Sequence, residues 1–244
     1  GFARLSSRGD LRTSLIGEGD FSADVCIVEE VPVEQLSLLG AGQAPPIRRT
    51  SGILASQAAD NLFWFGRYSE RAEMTVRVVR NLLGSSIDVD MGFGRGGESR
   101  ARLVKLLLSW GAIPADAASL PLAQLCARAI REKEMSGGIA SLIGSVRDIA
   151  RTLRDRVSSD FWRVASQPPP QLGDQAAPSV LAATNRLIDR FSVLSGLASE
   201  NMARGPAWHF YKLGRRLERA LTICRVTRQF AVADCSSDDL ALLI

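Results

Sequence analysis

The feature that most constrains this chain is a repeat. Residues 66–72 read GRYSERA and residues 214–220 read GRRLERA, an offset of 148 positions from Gly66 to Gly214. At the same offset Ala59 meets Ala207, Phe63 meets Tyr211, Arg77 meets Arg225, Val78 meets Val226 and Arg80 meets Arg228. The alignment needs no gap over residues 59–82, so helical phase is kept throughout. It predicts an internal duplication or two symmetry-related helices. Each copy carries an apolar stripe. The first is Leu62, Phe65, Ala72, Val76, Val79 and Leu83; the second is Phe210, Leu213, Leu217, Ala220, Cys224 and Ala231. Steps of three, four or seven put each stripe on one helix face.

Arg67, Glu70 and Arg71 lie roughly opposite the first stripe, yet Phe63 and Met74 share their side. That side is therefore not a plain solvated face. A glycine one turn before each Glu removes a Cβ and lets another helix approach closely at that height. Together these features place Arg67, Glu70 and Arg71, with their counterparts Arg215, Glu218 and Arg219, where two helices cross in a bundle interior. Lone buried charges are costly, so these groups must pair. Glu70 is expected to accept from an arginine of the other copy, and Glu218 from Arg67 or Arg71. Arginine suits the task because its planar fork meets a carboxylate with two parallel hydrogen bonds. Two readings stand side by side. In one, the network fixes helix register and holds no ligand. In the other, four arginines against two carboxylates leave spare positive charge. That charge binds a phosphate, a carboxylate terminus or an acidic peptide, with Glu70 and Glu218 orienting the arginines.

The rest of the chain sets this pair in context. Leu, Ala and Val supply most of the apolar mass and aromatics are only 6 %, a mix that favours helices. From about residue 53 the texture is helical. Helices are expected at about 55–83, ending near Gly84, and at 98–110, 120–135, 139–157, 159–165, 179–202 and 206–233. Ser119 is expected to cap the third. The stripe Leu142, Val146, Ile149, Leu153 and Val157 marks the fourth. Residues 91–99 and 167–178 read as loops. The fold class is all-α, a mostly up-and-down bundle of about six helices with an internal pseudo-repeat, after a short β-containing remnant. The stretches 11–17 and 24–33 are strand-like, and two or three strands cannot close a core alone. Residues 1–40 thus read as the tail of a domain whose body lies upstream, 41–52 as a linker, 53–235 as the helical domain and 236–244 as a tail.

Charge and composition exclude several functions. The net charge of +4 comes from interspersed residues, which is no nucleic-acid footprint. No apolar run approaches the length that spans a membrane. His209 is the single histidine, which argues against His-based metal sites and triads. Cys26, Cys126, Cys224 and Cys235 form no Cys-x-x-Cys pair and read as reduced, mostly buried thiols of a cytoplasmic protein. Gly92, Gly94 and Gly97 match a dinucleotide-loop spacing but follow a helix, so a connector is expected. Arg147, Arg151 and Arg154 share one side of a helix. If that side faces the Glu-Arg network, the anion-binding case gains. Trp208 and His209, one turn before the second motif, read as packing residues. Asp234, Asp238 and Asp239 read as a solvated tail.

Three segments, in order, carry a family resemblance. DNLFWFGRYSERAE (60–73), SVRDIARTLRDRVSSDFW (145–162) and ENMARGPAWHFYKLGRRLERA (200–220) resemble the opening, central and closing motifs of the alpha-E domain, an all-helical bacterial family. The front end differs: GFARLS (1–6) and SADVCIV (22–28) resemble the last strands of a circularly permuted ATP-grasp protein. Its usual Ser-Lys-Asp run is Ser22-Ala23-Asp24 here, with Cys26 in place of Trp. The resemblance implies a setting: an ATP-grasp domain in cis that joins a carboxylate to an amine, using ATP and Mg in the intact parent and no cofactor in this segment. The alpha-E part is then expected to be an accessory, non-catalytic module for peptide synthesis, tagging or modification. It takes a peptide or acidic small-molecule substrate at Arg67, Glu70, Arg71, Arg215, Glu218 and Arg219, with Arg147 and Arg151 nearby. The alternative is a structural scaffold or homodimerisation module. A third expectation makes Glu70 or Glu218 a general base.

Overall fold

The computed structural model describes residues 2–5, 21–24, 54–90, 97–233 and 235. The strand-like run 11–17, most of 24–33, the 41–52 linker, Gly92, Gly94, Cys26 and the aspartates of the tail lie outside the described residues. The chain divides into two units, Gly1–Thr50 and Ser51–Ile244. In the first, β1 (Phe2–Leu5) pairs antiparallel with β2 (Phe21–Asp24), Phe2 opposite Asp24 and Leu5 opposite Phe21.

The second unit is all α-helix apart from two 3₁₀ turns, Ala115–Ser119 and Arg154–Arg156, among the described residues. Its helices are α1 (Ser56–Asp90), α2 (Gly97–Ser109), α3 (Leu122–Arg131), α4 (Ile139–Thr152), α5 (Ser159–Ala165), α6 (Ala177–Asn201) and α7 (Pro206–Phe230). The all-α bundle read from the sequence is what the chain forms. Helix α1 is its hub, packing against α2, α3, α4, α6 and α7. Its apolar stripe, Leu62 through Leu83, is buried, and so are Gly66, Glu70 and Glu73 where it meets α7, while Phe63, Arg67 and Met74 are half-buried. A helix that buries residues on more than one face belongs at the centre of a bundle. Its neighbours are one-sided. Helix α3 turns Leu125, Cys126, Ala129 and Ile130 inward, and α4 turns Ile139, Leu142, Ile143, Val146 and Ala150 inward. Each fully buried Leu, Ile or Phe contributes about 1.5–3 kcal/mol.

Several boundaries differ from the sequence reading, each for a local reason. Helix α1 runs past Gly84 to Asp90, because one glycine weakens a helix by about 1 kcal/mol and does not end it. Ser119 does not cap α3. Its hydroxyl donates to Asp116 O inside the preceding 3₁₀ turn, and Pro121 occupies the cap position. Helix α3 stops at Arg131 because the Glu132 carboxylate accepts the backbone N–H groups of Glu134 (2.7 Å) and Met135 (3.3 Å), which turns the chain. Helix α4 ends at Thr152, so Val157 falls beyond the 3₁₀ turn, while Leu153 stays buried. Ser158 caps α5 by accepting from Phe161 N at 3.3 Å. Of the described cysteines Cys126 is buried, and that burial pushes its thiol up to about 12; Cys224 is exposed.

Helices α1 and α7 meet backbone to backbone. A Cβ on Gly66 would collide with Tyr211 O and press on Arg215 N; one on Gly214 would collide with Phe63 O and press on Arg67 N. Phe63 and Arg67 map onto Tyr211 and Arg215 under the 148-residue offset, so the crossing is a local pseudo-dyad. Gly214→Ala should therefore destabilise. Helix propensity favours Ala by about 1 kcal/mol, but the opposing atoms are backbone and the helices must part. We expect a net loss of about 2 kcal/mol in urea denaturation, within the usual range for overpacking. Gly196→Ala in α6, where a Cβ meets open space, should instead be neutral or stabilise by up to about 1 kcal/mol.

Candidate functional site

The two Glu-Arg motifs face each other across this crossing. Glu70 accepts from Arg215 Nε at 2.6 Å and from Arg219 Nε at 2.5 Å. Glu218 accepts from Arg67 Nε and Arg71 Nε, both at 2.7 Å, and from Arg71 Nη2 at 3.0 Å. Under the offset, the Arg67–Glu218 and Arg71–Glu218 pairs become Arg215–Glu70 and Arg219–Glu70. Each carboxylate is thus held by two guanidinium groups of the opposite helix. Both carboxylates are buried, whereas the arginines grade outward: side-chain exposure is 9 % for Arg215, 16 % for Arg67, 23 % for Arg71 and 52 % for Arg219.

The dyad breaks at a residue that the sequence reading missed. Glu73, also buried, accepts from Arg215 Nη2 at 3.1 Å and from Arg77 at 2.7 Å. Its counterpart by the offset is Leu221, which has no polar side-chain atom to offer. The signal was present: Glu73 stands one turn after Glu70 and four residues before Arg77, a spacing that pairs on a helix. Arg215 also donates from Nη1 to Ser195 Oγ at 2.6 Å, which ties the crossing to α6. Aromatic faces close the ends. The Arg67 guanidinium lies 5.3 Å from the Trp64 ring centroid, and Tyr211 packs against Phe65 and Phe161.

Burial pushes the Glu218 carboxyl up, but the hydrogen bonds and charges of Arg71 and Arg67 outweigh it and hold the group below the usual carboxylate range. Burial also works against the charge on Arg215, but Tyr211, Glu70 and Glu73 more than offset it. Both carboxylates have their oxygens occupied by arginine donors, which suits a fastener and ill suits a general base.

Arg147 and Arg151 of α4, and Arg154 of the 3₁₀ turn after it, do not join the network. Arg147 Nε donates to Ser166 O at 3.0 Å and lines a separate open groove of ≈ 1060 Å³ with Arg131, Lys133, Ser145 and the Pro168–Pro170 run. Arg151 pairs with Asp148 on the surface at 2.8 Å, and Arg154 stacks on Trp162. Helix α4 faces α1 with its apolar stripe, so its charged side points away from the crossing. His209 bonds through Nδ1 to Gly205 O at 2.8 Å within its own first turn. The second apolar stripe also departs from expectation. Phe210, Leu213 and Leu217 are 39 %, 54 % and 40 % exposed, and Ala220, Cys224 and Ala231 are exposed too. Helix α7 packs on α1 and α2, leaving this face uncovered by the described residues.

Residues 54–243 match the Alpha-E family, described as a predicted alpha-helical domain with a conserved ER motif. The chain belongs to that family. It is 25 % identical over 217 residues to an uncharacterised protein of Mycobacterium bovis, and 24 % identical over 217 residues to one of Mycobacterium tuberculosis strain H37Rv. Both alignments cover 73 % of this chain and 23 % of the relative, so the chain spans under a quarter of the length of these relatives. No solved structure matches it. No helix is long and apolar enough to cross a membrane among the described residues.

Removing one charge from this network should leave its partners stranded, at a cost of about 3 kcal/mol for a buried pair. Glu218→Gln is expected to lower Tm by roughly 6–12 °C for a domain of this size. The folded-state carboxyl lies below its ordinary value of 4.5. Its stabilising contribution is therefore full above about pH 4.5 and is lost as pH falls through the folded value. Wild-type melting temperatures should drop on acidification below that point, and Glu218→Gln should drop less over the same range.

Proposed function

We propose that the helical unit is an accessory, non-catalytic module of a longer carboxylate–amine ligase, and that its Glu-Arg network is a structural fastener. The observation that carries this is the double clamp itself. Both carboxylates are buried and each is occupied by two arginines of the facing helix, so neither is free to move protons. The fastener fixes the register of α1 and α7 and leaves the domain's outer surfaces to recognise partners. The ligase setting is supported by the resemblance of residues 1–6 and 22–28 to the tail of a circularly permuted ATP-grasp protein. The β1–β2 pair has the strand character that such a tail requires. On this reading ATP and Mg belong to the parent's ATP-grasp domain, and the helical module serves a peptide or acidic substrate delivered to it.

A second reading has its own observation. Five arginines, Arg67, Arg71, Arg77, Arg215 and Arg219, share three carboxylates, Glu70, Glu73 and Glu218. Arg219 is half exposed, so it retains donor capacity toward an anion. One titration separates the two. Inorganic phosphate is added to the full chain while Tm is followed. A specific site filled at about one hundred times its Kd would stabilise by about 2.7 kcal/mol. The fastener reading expects no such rise. A rise in wild type that Arg219→Ala abolishes, with little change in unliganded Tm, would establish the anion site instead.

A further inference from the structure

The pseudo-dyad gives α1 and α7 equivalent faces. On α1, the face formed by Leu62, Phe65, Ala72 and Val76 is covered by neighbouring helices and is at most 1 % exposed. The equivalent face of α7 is Phe210, Leu213, Ala220 and Cys224, with Leu217 on the same stripe. It runs for about four turns along the outside, with Ile223 beside it, 57 % exposed. At its start Trp208, Phe210 and Leu213 shape a mainly apolar hollow of ≈ 430 Å³, bordered by Lys212 and Arg216. A helix face of this length and width is what α1 buries under other helices.

The flanks state what kind of helix fits. Helix α7 carries Lys212, Arg215, Arg216, Arg219, Arg225 and Arg228 against one acid, Glu218, which is buried in the clamp. Arg216, Arg219, Arg225 and Arg228 are all exposed. Cations crowd the apolar hollow enough to matter: after burial, the charges of Arg215, Arg216, Arg204 and Arg219 hold the Lys212 ammonium below its ordinary range. A second copy of α7 placed on this face would bring like charges together, which disfavours self-association. A helix with its own apolar stripe and Glu or Asp beside it would bury the leucines and neutralise the rim.

We propose that the outer face of α7 is a docking surface for an acidic amphipathic helix of a partner protein. Leu213 and Leu217 form the apolar centre, and Arg216 is part of the cationic rim. This rests on the accessory-module reading and names the class of partner that the module takes. The test uses the full chain and two fluorescein-labelled synthetic peptides of identical Leu, Ala and Glu composition. One has leucines at helical three- and four-residue spacing between glutamates; the other is scrambled. Fluorescence anisotropy at physiological salt should show the patterned peptide binding at least about tenfold more tightly than the scrambled one, a gap of about 1.4 kcal/mol. The double variant Leu213→Glu/Leu217→Glu, altered at exposed positions outside the clamp, should keep its Tm and lose that preference. Arg216→Glu should weaken binding and flatten its salt dependence. Equal binding of the two peptides, binding of neither, or indifference to the Leu213→Glu/Leu217→Glu change would overturn the proposal. So would self-association in sedimentation equilibrium, or co-sedimentation with phosphatidylglycerol vesicles, that this double variant abolishes while wild type ignores the patterned peptide. None of these outcomes depends on the phosphate titration, so failure here and failure of the fastener reading are told apart.

Discussion

Two carboxylates, each gripped by two arginines from across a helix crossing, determine how this domain is put together. The grip needs α1 and α7 to touch backbone to backbone, and Gly66 and Gly214 allow that. With the helices that close, Glu70 and Glu218 are cut off from water, and water can no longer satisfy them. Only the facing arginines can, so packing and electrostatics each require the other. Burying ion pairs adds little net stability over well-packed apolar residues, because desolvation offsets the attraction. Breaking one is another matter, since the stranded charge has nowhere to go. Such a network is therefore better at forbidding wrong registers than at strengthening the right one. A one-turn slip of α7 along α1 would leave the charged groups of both motifs mismatched in the interior.

The rest of the bundle is arranged around that crossing. Helix α1 must be buried on both sides: one faces α7, and the other, from Leu62 to Leu83, faces the helices packed behind it. Ser195 on α6 reaches Arg215, so the clamp is tied into the neighbouring layer as well. Glu73 extends the network along α1, but an aliphatic side chain at the equivalent Leu221 accepts no hydrogen bond, and the symmetry ends there. The local dyad is thus complete at its centre and decays along the helices. A duplicated helix whose copies took on different neighbours would decay in this way.

Much of this was legible in the residues. The repeat, the glycines and the charge pattern led to a buried crossing with Glu70 facing the second motif's arginines and Glu218 facing the first's, because steric and electrostatic demands are local and helical spacing is rigid. Helix existence was legible for the same reason. Ends were less so, since Gly84, Ser119 and Glu132 act through local bonds that spacing does not reveal. The placement of the α4 arginines was not legible. Their shared side was visible, but whether it turned toward α1 depended on which stripe of α4 was more apolar. The second stripe shows the deeper limit. Periodicity states that Phe210, Leu213 and Leu217 share a face, not what covers it, because burial is a property of the neighbours.

The same motif therefore meets two environments within one chain. On α1 the stripe is a core face; on α7 the equivalent stripe meets solvent beside a row of arginines. If apolar residues on α7 served only to keep the helix in place, the clamp already does that from the opposite side, and polar residues would serve at least as well on the outside. Their presence alongside exposed cations is a costly arrangement for an isolated surface, since apolar area left in water forgoes about 25 cal/mol for each Å² that could be buried. The inner face of α7 explains how the domain holds together, and it does so with both motif carboxylates engaged. The outer face contributes nothing to that clamp, and its apolar stripe and cationic rim are what the proposed partner helix would cover.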